Sequence, residues 1–308
     1  MKRTPVIACL FLLNVLIFVS CSSAQNMDSN HAANHSDNMN SVVSATAPET
    51  QDWAKEQLAK SPRHQEWVKL KQGNREVSAF IVYPETKGKA TSVIVIHEIF
   101  GMTDWVQSLT DQLAAAGYIA IAPDLLSGMG PNGGGSSAFT ERNAVGQAIR
   151  DLPPDQITAD LNAAADYLTK LPAANGKVTV AGFCWGGSQT FRYATNNPNL
   201  KAAFVFYGSA PEEKEALARL KAPVYGLYAG NDARINATLP KTIELMKELG
   251  KSYEPVTYEG AGHGFMRAGD APEPKGAEAT EAALTAYKAN KKARDEAWER
   301  WKSILKGV

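Results

Sequence analysis

The sequence predicts an α/β fold: a mostly parallel central sheet with helices on both faces, an N-terminal β-hairpin and a long C-terminal helix. Three observations carry this. Apolar, β-branched runs of strand length alternate with amphipathic stretches of helix length, the pattern of right-handed crossovers between parallel strands. Residues 92–97 (Ser-Val-Ile-Val-Ile-His) are almost continuously apolar, which suits a strand covered on both faces. The 308 residues are 44% hydrophobic and 21% charged, enough apolar surface for one large core.

The first twenty residues stand apart from that fold. Lys2 and Arg3 precede an apolar run over 6–19 broken only by Asn14, too short to span a bilayer stably; residues 1–20 fit a signal peptide. The run ends at Ser20-Cys21. A small residue directly before a cysteine resembles the bacterial lipoprotein processing site. That implies lipidation of Cys21 and an exported, periplasmic or cell-surface protein, held to the membrane only by this anchor. Phe18 is unusual at such a site, so ordinary cleavage nearby is the alternative, and an uncleaved anchor is another. Residues 21–51, rich in Ser, Asn and Ala, predict a flexible tether in which His31 and His35 are solvated. The globular domain is expected over 52–308.

Within that domain a helix is expected over 53–58. Strands over 67–70 and 77–83 flank Gly73-Asn74 and predict the hairpin. After the strand at 92–97 come a helix over 105–116, stopped by Gly117, and a strand over 118–122 ending at Pro123-Asp124. The glycine-rich stretch 127–137 predicts a mobile loop, either a substrate lid or a tolerated surface insertion. Helices over 157–170, 188–195, 240–249 and 277–305 alternate with strands over 177–181, 202–207, 224–229 and 254–258.

Charge excludes some function classes. The formal net charge is zero, without the basic excess of a nucleic-acid binder. Losing residues 1–20 removes Lys2 and Arg3 from the 32 basic residues and none of the 32 acidic ones, leaving about −2. No clustered metal ligands occur, so neither metal nor organic cofactor is expected. Nothing calls for a partner chain, and a monomer is the expectation.

The cysteines narrow the chemistry. Of three, Cys9 falls in the signal peptide and Cys21 at its end, so Cys184 is alone in the folded body and has no disulfide partner there. A buried, inert thiol is the ordinary reading of a lone cysteine. Its surroundings argue otherwise. Residues 178–187 read Val-Thr-Val-Ala-Gly-Phe-Cys-Trp-Gly-Gly, a Gly-x-Cys-x-Gly between a strand and a helix. This is the layout of a nucleophile elbow. It would strain the Cys184 backbone, lift the sulfur above the sheet and place it at a positive helix end that favours thiolate. The Trp185 N–H would then point at a developing oxyanion.

The base should be a histidine late in the chain. His263, in Gly262-His-Gly-Phe265 after the last strand, has that place; His64 precedes the sheet. Asp232, in Gly230-Asn-Asp after the strand at 224–229, lies where an orienting acid belongs, although a turn or helix cap is its bland alternative. Asp124 also follows a strand but precedes the nucleophile, against the chain order nucleophile, acid, histidine.

Four segments together resemble the dienelactone hydrolase family: His97-Glu-Ile-Phe-Gly101, Ala122-Pro-Asp-Leu125, Gly182-Phe-Cys-Trp-Gly-Gly187 and Gly262-His-Gly-Phe265. Their order and spacing match over roughly residues 65–270. The resemblance implies an α/β-hydrolase fold and a Cys184–His263–Asp232 triad. It also implies that Glu98 contacts the cysteine and helps generate the thiolate when substrate arrives. A carboxylate at the end of a buried strand is poorly solvated, which is compatible with a base; a surface salt bridge is the alternative. The resemblance further implies Ile99 N–H as second oxyanion donor beside Trp185, and arginines on a substrate carboxylate. Arg267 stands in such a position. Arg142 is a looser match, evenly balanced against a solvated helix residue.

The expected reaction is hydrolysis of a lactone or small ester through a thioester. The same mechanism on a larger ester or a thioester is one alternative. A non-catalytic, surface-anchored binding protein on a hydrolase scaffold is the other, disfavoured by the intact constellation. Export, the glycine-rich stretch and the long C-terminal helix depart from the simplest family pattern and leave the substrate open.

Overall fold

The computed structural model describes residues 51–308. The expected signal peptide, Cys21, His31, His35 and the tether up to residue 50 lie outside the described residues. Eight strands form one sheet: β1 (Gln65–Gln72), β2 (Arg75–Val82), β3 (Ala90–Ile96), β4 (Ile119–Pro123), β5 (Ala174–Phe183), β6 (Ala203–Phe206), β7 (Val224–Ala229) and β8 (Tyr253–Tyr258). Their spatial order is β1-β2-β4-β3-β5-β6-β7-β8. β3 to β8 pair in parallel, while β1 and β2 form the expected hairpin and β2 joins β4 antiparallel.

The helices are α1 (Asp52–Ala59), α2 (Asp104–Ala115), α3 (Arg142–Arg150), α4 (Pro154–Lys170), α5 (Trp185–Asn196), α6 (Lys214–Ala218), α7 (Ala233–Asn236), α8 (Leu239–Glu248), α9 (Phe265–Asp270) and α10 (Glu281–Lys306). Alternation along the strands sorts the core into two layers. Ile94, Ile96, Val178, Val180 and Val205 face α3, α4, α5, α6 and α8. Val93, Val95, Ala181, Phe183, Phe204 and Phe206 face α1, α2, α9 and α10. In the second layer Trp301 of α10 is fully buried, with ring centroids 5.0 Å from Phe206, 5.7 Å from Phe204 and 6.1 Å from Phe183. The C-terminal helix is thus part of the core.

The glycine-rich stretch is tied down. Asp124, buried beyond β4, accepts hydrogen bonds from Ser136 N (2.8 Å), Ser136 Oγ (2.6 Å) and Leu126 N (3.1 Å). Ser136 Oγ in turn accepts from Met102 N at 3.1 Å. A carboxylate this deeply buried needs such donors, and the stretch supplies them. Asp124 therefore anchors the loop, consistent with setting it aside as the orienting acid.

Candidate active site

Four loops converge where strands end at the carboxyl edge of the sheet. β5 stops at Phe183 and α5 starts at Trp185, so Cys184 alone makes the turn, at φ 57° and ψ −120°. A non-glycine residue held there stores about 1–3 kcal/mol of strain. Its glycine neighbours are dictated by space. A Cβ on Gly182 would lie 2.2 Å from the Gly186 carbonyl oxygen, and one on Gly186 would lie 2.3 Å from that of His97. Cys184 N–H is fixed by the Phe206 carbonyl at 3.1 Å, while its side chain remains partly exposed at the first turn of α5.

His263 follows β8, and its Nδ1 lies 2.5 Å from Asp232 Oδ2. The Cys184 sulfur is near enough to act electrostatically on the same ring. Burial disfavours the imidazolium, but the Cys184 charge and the Asp232 hydrogen bond outweigh it and push the His263 pKa to about 10. Asp232 responds in the opposite sense: burial raises its carboxyl, and the hydrogen bond and charge of His263 bring it below the usual range. Asp232 thus meets His263 through Oδ2, while its Oδ1 accepts from Ile235 N at 3.3 Å and caps α7.

Glu98 sits just past β3 and is 2% exposed, so it is not at the surface. Arg267 Nε donates to its Oε2 at 2.7 Å, a buried ion pair between two residues expected to serve different ends of a substrate. The two candidate arginines meet on one ring: the Arg142 guanidinium lies 4.3 Å and that of Arg267 5.5 Å from the Phe100 centroid. Arg142 itself is exposed at the start of α3. Neither Ile99 N–H nor Trp185 N–H is engaged by a backbone acceptor among the described residues. Sequence reasoning missed two members of this cluster. Phe100 lies within the His97–Gly101 segment but carries no polar group. Tyr207, at φ 40°, packs its ring edge-on to His263 at 5.1 Å, and burial holds its hydroxyl well above the ordinary pKa.

The dienelactone hydrolase family profile matches residues 77–308. The chain belongs to the dienelactone hydrolase family. Two similar relatives bear the name "Putative carboxymethylenebutenolidase". One, from Methylorubrum extorquens, is 32% identical over 209 residues, covering 64% of this chain and 71% of its own. The other, from Saccharolobus solfataricus, is 31% identical over 268 residues, covering 76% and 95%. The crystal structure of a "Putative Dienelactone Hydrolase" from Klebsiella pneumoniae matches with a TM-score of 0.66 and 25% identity, covering 80% of this chain and 99% of its own. The dienelactone hydrolase from Anabaena variabilis shares the fold at a TM-score of 0.52 and 21% identity, covering 75% and 95%. This family member has the α/β-hydrolase fold expected from its motifs, and it is a dienelactone hydrolase-like ester hydrolase.

Proposed function

We propose that this enzyme hydrolyses a lactone or small ester through a thioester on Cys184, with His263 as acid and base and Asp232 as its orienting partner. One observation carries the reading: a strained cysteine at a helix start acts on the histidine whose Nδ1 meets the Asp232 carboxylate. Thiolate Sγ attacks the carbonyl carbon, and the oxyanion accepts from Ile99 and Trp185 N–H. Collapse of that intermediate breaks the carbonyl carbon–oxygen single bond, and the leaving alkoxide takes the His263 proton. The thioester no longer carries the sulfur charge that raised the His263 pKa, so the ring becomes a competent base for water. Attack of that water expels the Cys184 thiolate and releases the acid.

The Glu98–Arg267 pair supports an anionic substrate. A substrate carboxylate on Arg267 competes with Glu98, matching the planar guanidinium fork, and a displaced Glu98 carboxylate is free to act beside Cys184.

The test is turnover of a dienelactone, beside a neutral lactone of equal size, by the enzyme and its Cys184→Ala variant. Rapid-quench mass spectrometry of the enzyme reads the acyl adduct. Turnover and an adduct on Cys184 are expected only in the wild type, with the anionic substrate preferred. Equal turnover by the variant would overturn the proposal.

A further inference from the structure

His97 takes no part in the chemistry above, yet it touches both halves of the oxyanion site. It is completely buried at the end of β3. Its Nδ1 lies 2.8 Å from the Glu98 carbonyl oxygen, which also accepts from Gly101 N at 3.1 Å. That carbonyl and the Ile99 N–H belong to the same peptide group. In a planar trans peptide they point in opposite directions, so holding the oxygen aims the N–H. A donor on the carbonyl also polarises the peptide and strengthens its N–H as a donor.

The other half of the site is Trp185. Its ring stacks on the His97 ring with centroids 5.6 Å apart and planes 14° from parallel. The backbone is equally constrained, because the His97 carbonyl occupies the space a Cβ on Gly186 would need.

Because a carbonyl only accepts, Nδ1 carries the proton. Nε2 is then a bare acceptor, buried and without a hydrogen-bond partner among the described residues. Burial pushes the pKa of this ring below its ordinary value, which keeps it neutral. An unpaired buried nitrogen is destabilising, and an apolar side chain would avoid it. The Nδ1–H contact is what a histidine offers here in exchange.

We propose that His97 is a positioning residue of the oxyanion site: it locks the Glu98–Ile99 peptide through Nδ1–H and seats Trp185 by stacking. This rests on the assignment of Ile99 and Trp185 N–H as oxyanion donors. Two reactions of Cys184 separate positioning from general damage. Ester hydrolysis needs the oxyanion site. Alkylation by iodoacetamide does not, because the thiolate forms a bond to a saturated carbon while iodide leaves.

His97→Leu should lower kcat for a hydrolysed ester by about tenfold or more, since losing one oxyanion donor outright costs roughly 10²–10³. KM and the alkylation rate should stay within about twofold of the wild type by the same reasoning. His97→Asn, whose amide nitrogen reaches the place of Nδ1, should recover most of kcat. Unchanged kcat in the leucine variant, or equal losses of hydrolysis and alkylation, would overturn the inference. Should the leucine variant fail to fold, ¹⁵N spectra of the wild-type ring decide: a protonated Nδ1 with bare Nε2 supports it, and a protonated Nε2 with bare Nδ1 overturns it. Wild-type hydrolysis that survives Cys184→Ala is a different result; it removes the nucleophile assignment and this inference with it.

Discussion

Replacing Cys184 by serine separates the sulfur's charge from its size. In the wild type, burial alone would pull the His263 pKa down; the Cys184 charge, the Asp232 and Cys184 hydrogen bonds and the Asp232 charge lift it from 6.5 to about 10. At roughly 1.4 kcal/mol per pKa unit, that net lift is about 5 kcal/mol in favour of the imidazolium. The Cys184 charge is the largest of the raising effects. A serine hydroxyl stays protonated at neutral pH, so Cys184→Ser should lower the His263 pKa by at least about one unit, or ~1.4 kcal/mol. The assay is NMR of ring-labelled histidine from pH 5 to 11. Because the folded pKa is raised, this proton stabilises the fold fully below pH 6.5, and that stabilisation is lost as pH rises through about 10. An identical His263 pKa in the two proteins, or a neutral His263 in the wild type at pH 8, would refute the electrostatic account.

Asp232→Asn should cut kcat by about 10³–10⁴ through loss of the imidazole tautomer, while its side-chain oxygen still caps α7 and the melting temperature moves by only a few degrees. Arg267→Met leaves the Glu98 carboxylate buried and alone, and should cost about 3–5 kcal/mol in urea unfolding. Adding Glu98→Gln should restore most of that loss; strictly additive penalties would show that the pair is not coupled. Trp301→Ala opens a cavity among Phe183, Phe204 and Phe206 and should cost about 3–5 kcal/mol by denaturant titration, a loss below about 1 kcal/mol being the contrary result.

The sheet was readable because a parallel strand covered on both faces leaves a nearly unbroken apolar run, and 224–229 was delimited correctly for that reason. Four helices escaped: α3, α6, α7 and α9 are nine residues or fewer. α6, α7 and α9 are held by what surrounds them, while α3 buries Val145 and Ile149 on a stripe of its own that is only nine residues long. α7 exists because Asp232 caps it, and α9 because Gly264 enters it at φ 80°. The anchoring of the glycine-rich stretch over 127–137 escaped for a related reason. Glycine composition reports backbone freedom, but the partner that removes that freedom, Asp124, is set by the tertiary fold. Whereas Phe100 and Tyr207 carried no signal, Cys184, Asp232, His263, Glu98 and Arg267 were individually visible in the sequence, because each stands at or soon after a strand end in the order the proposed mechanism needs. Their pairing was not. Nothing in the spacing from Glu98 to Arg267 announces that these two would bind each other before any substrate does.

That pairing changes what the C-terminal helix is for. His263 and Arg267 lie on one short segment, so Asp232 and Glu98 are gripped by the same piece of chain. α10 holds this segment at both ends. Asn290 Oδ1 accepts from Gly262 N at 2.8 Å, immediately before the histidine. At the last residue of α9, Asp270 is paired with Arg294 at 2.6 Å and accepts from Trp105 Nε1 at 3.0 Å, which ties the segment to α2 as well. At Gly269 a Cβ would lie 2.6 Å from the Asn290 carbonyl oxygen, so the two helices are in backbone contact. A helix whose exposed residues read as an ordinary solvated surface thus fixes the distance between the imidazole and the guanidinium. If an anionic substrate draws Arg267 away from Glu98, the side chain must do so against a backbone that α10 keeps still. The energy of that exchange then falls on the Glu98 side chain rather than on the position of His263.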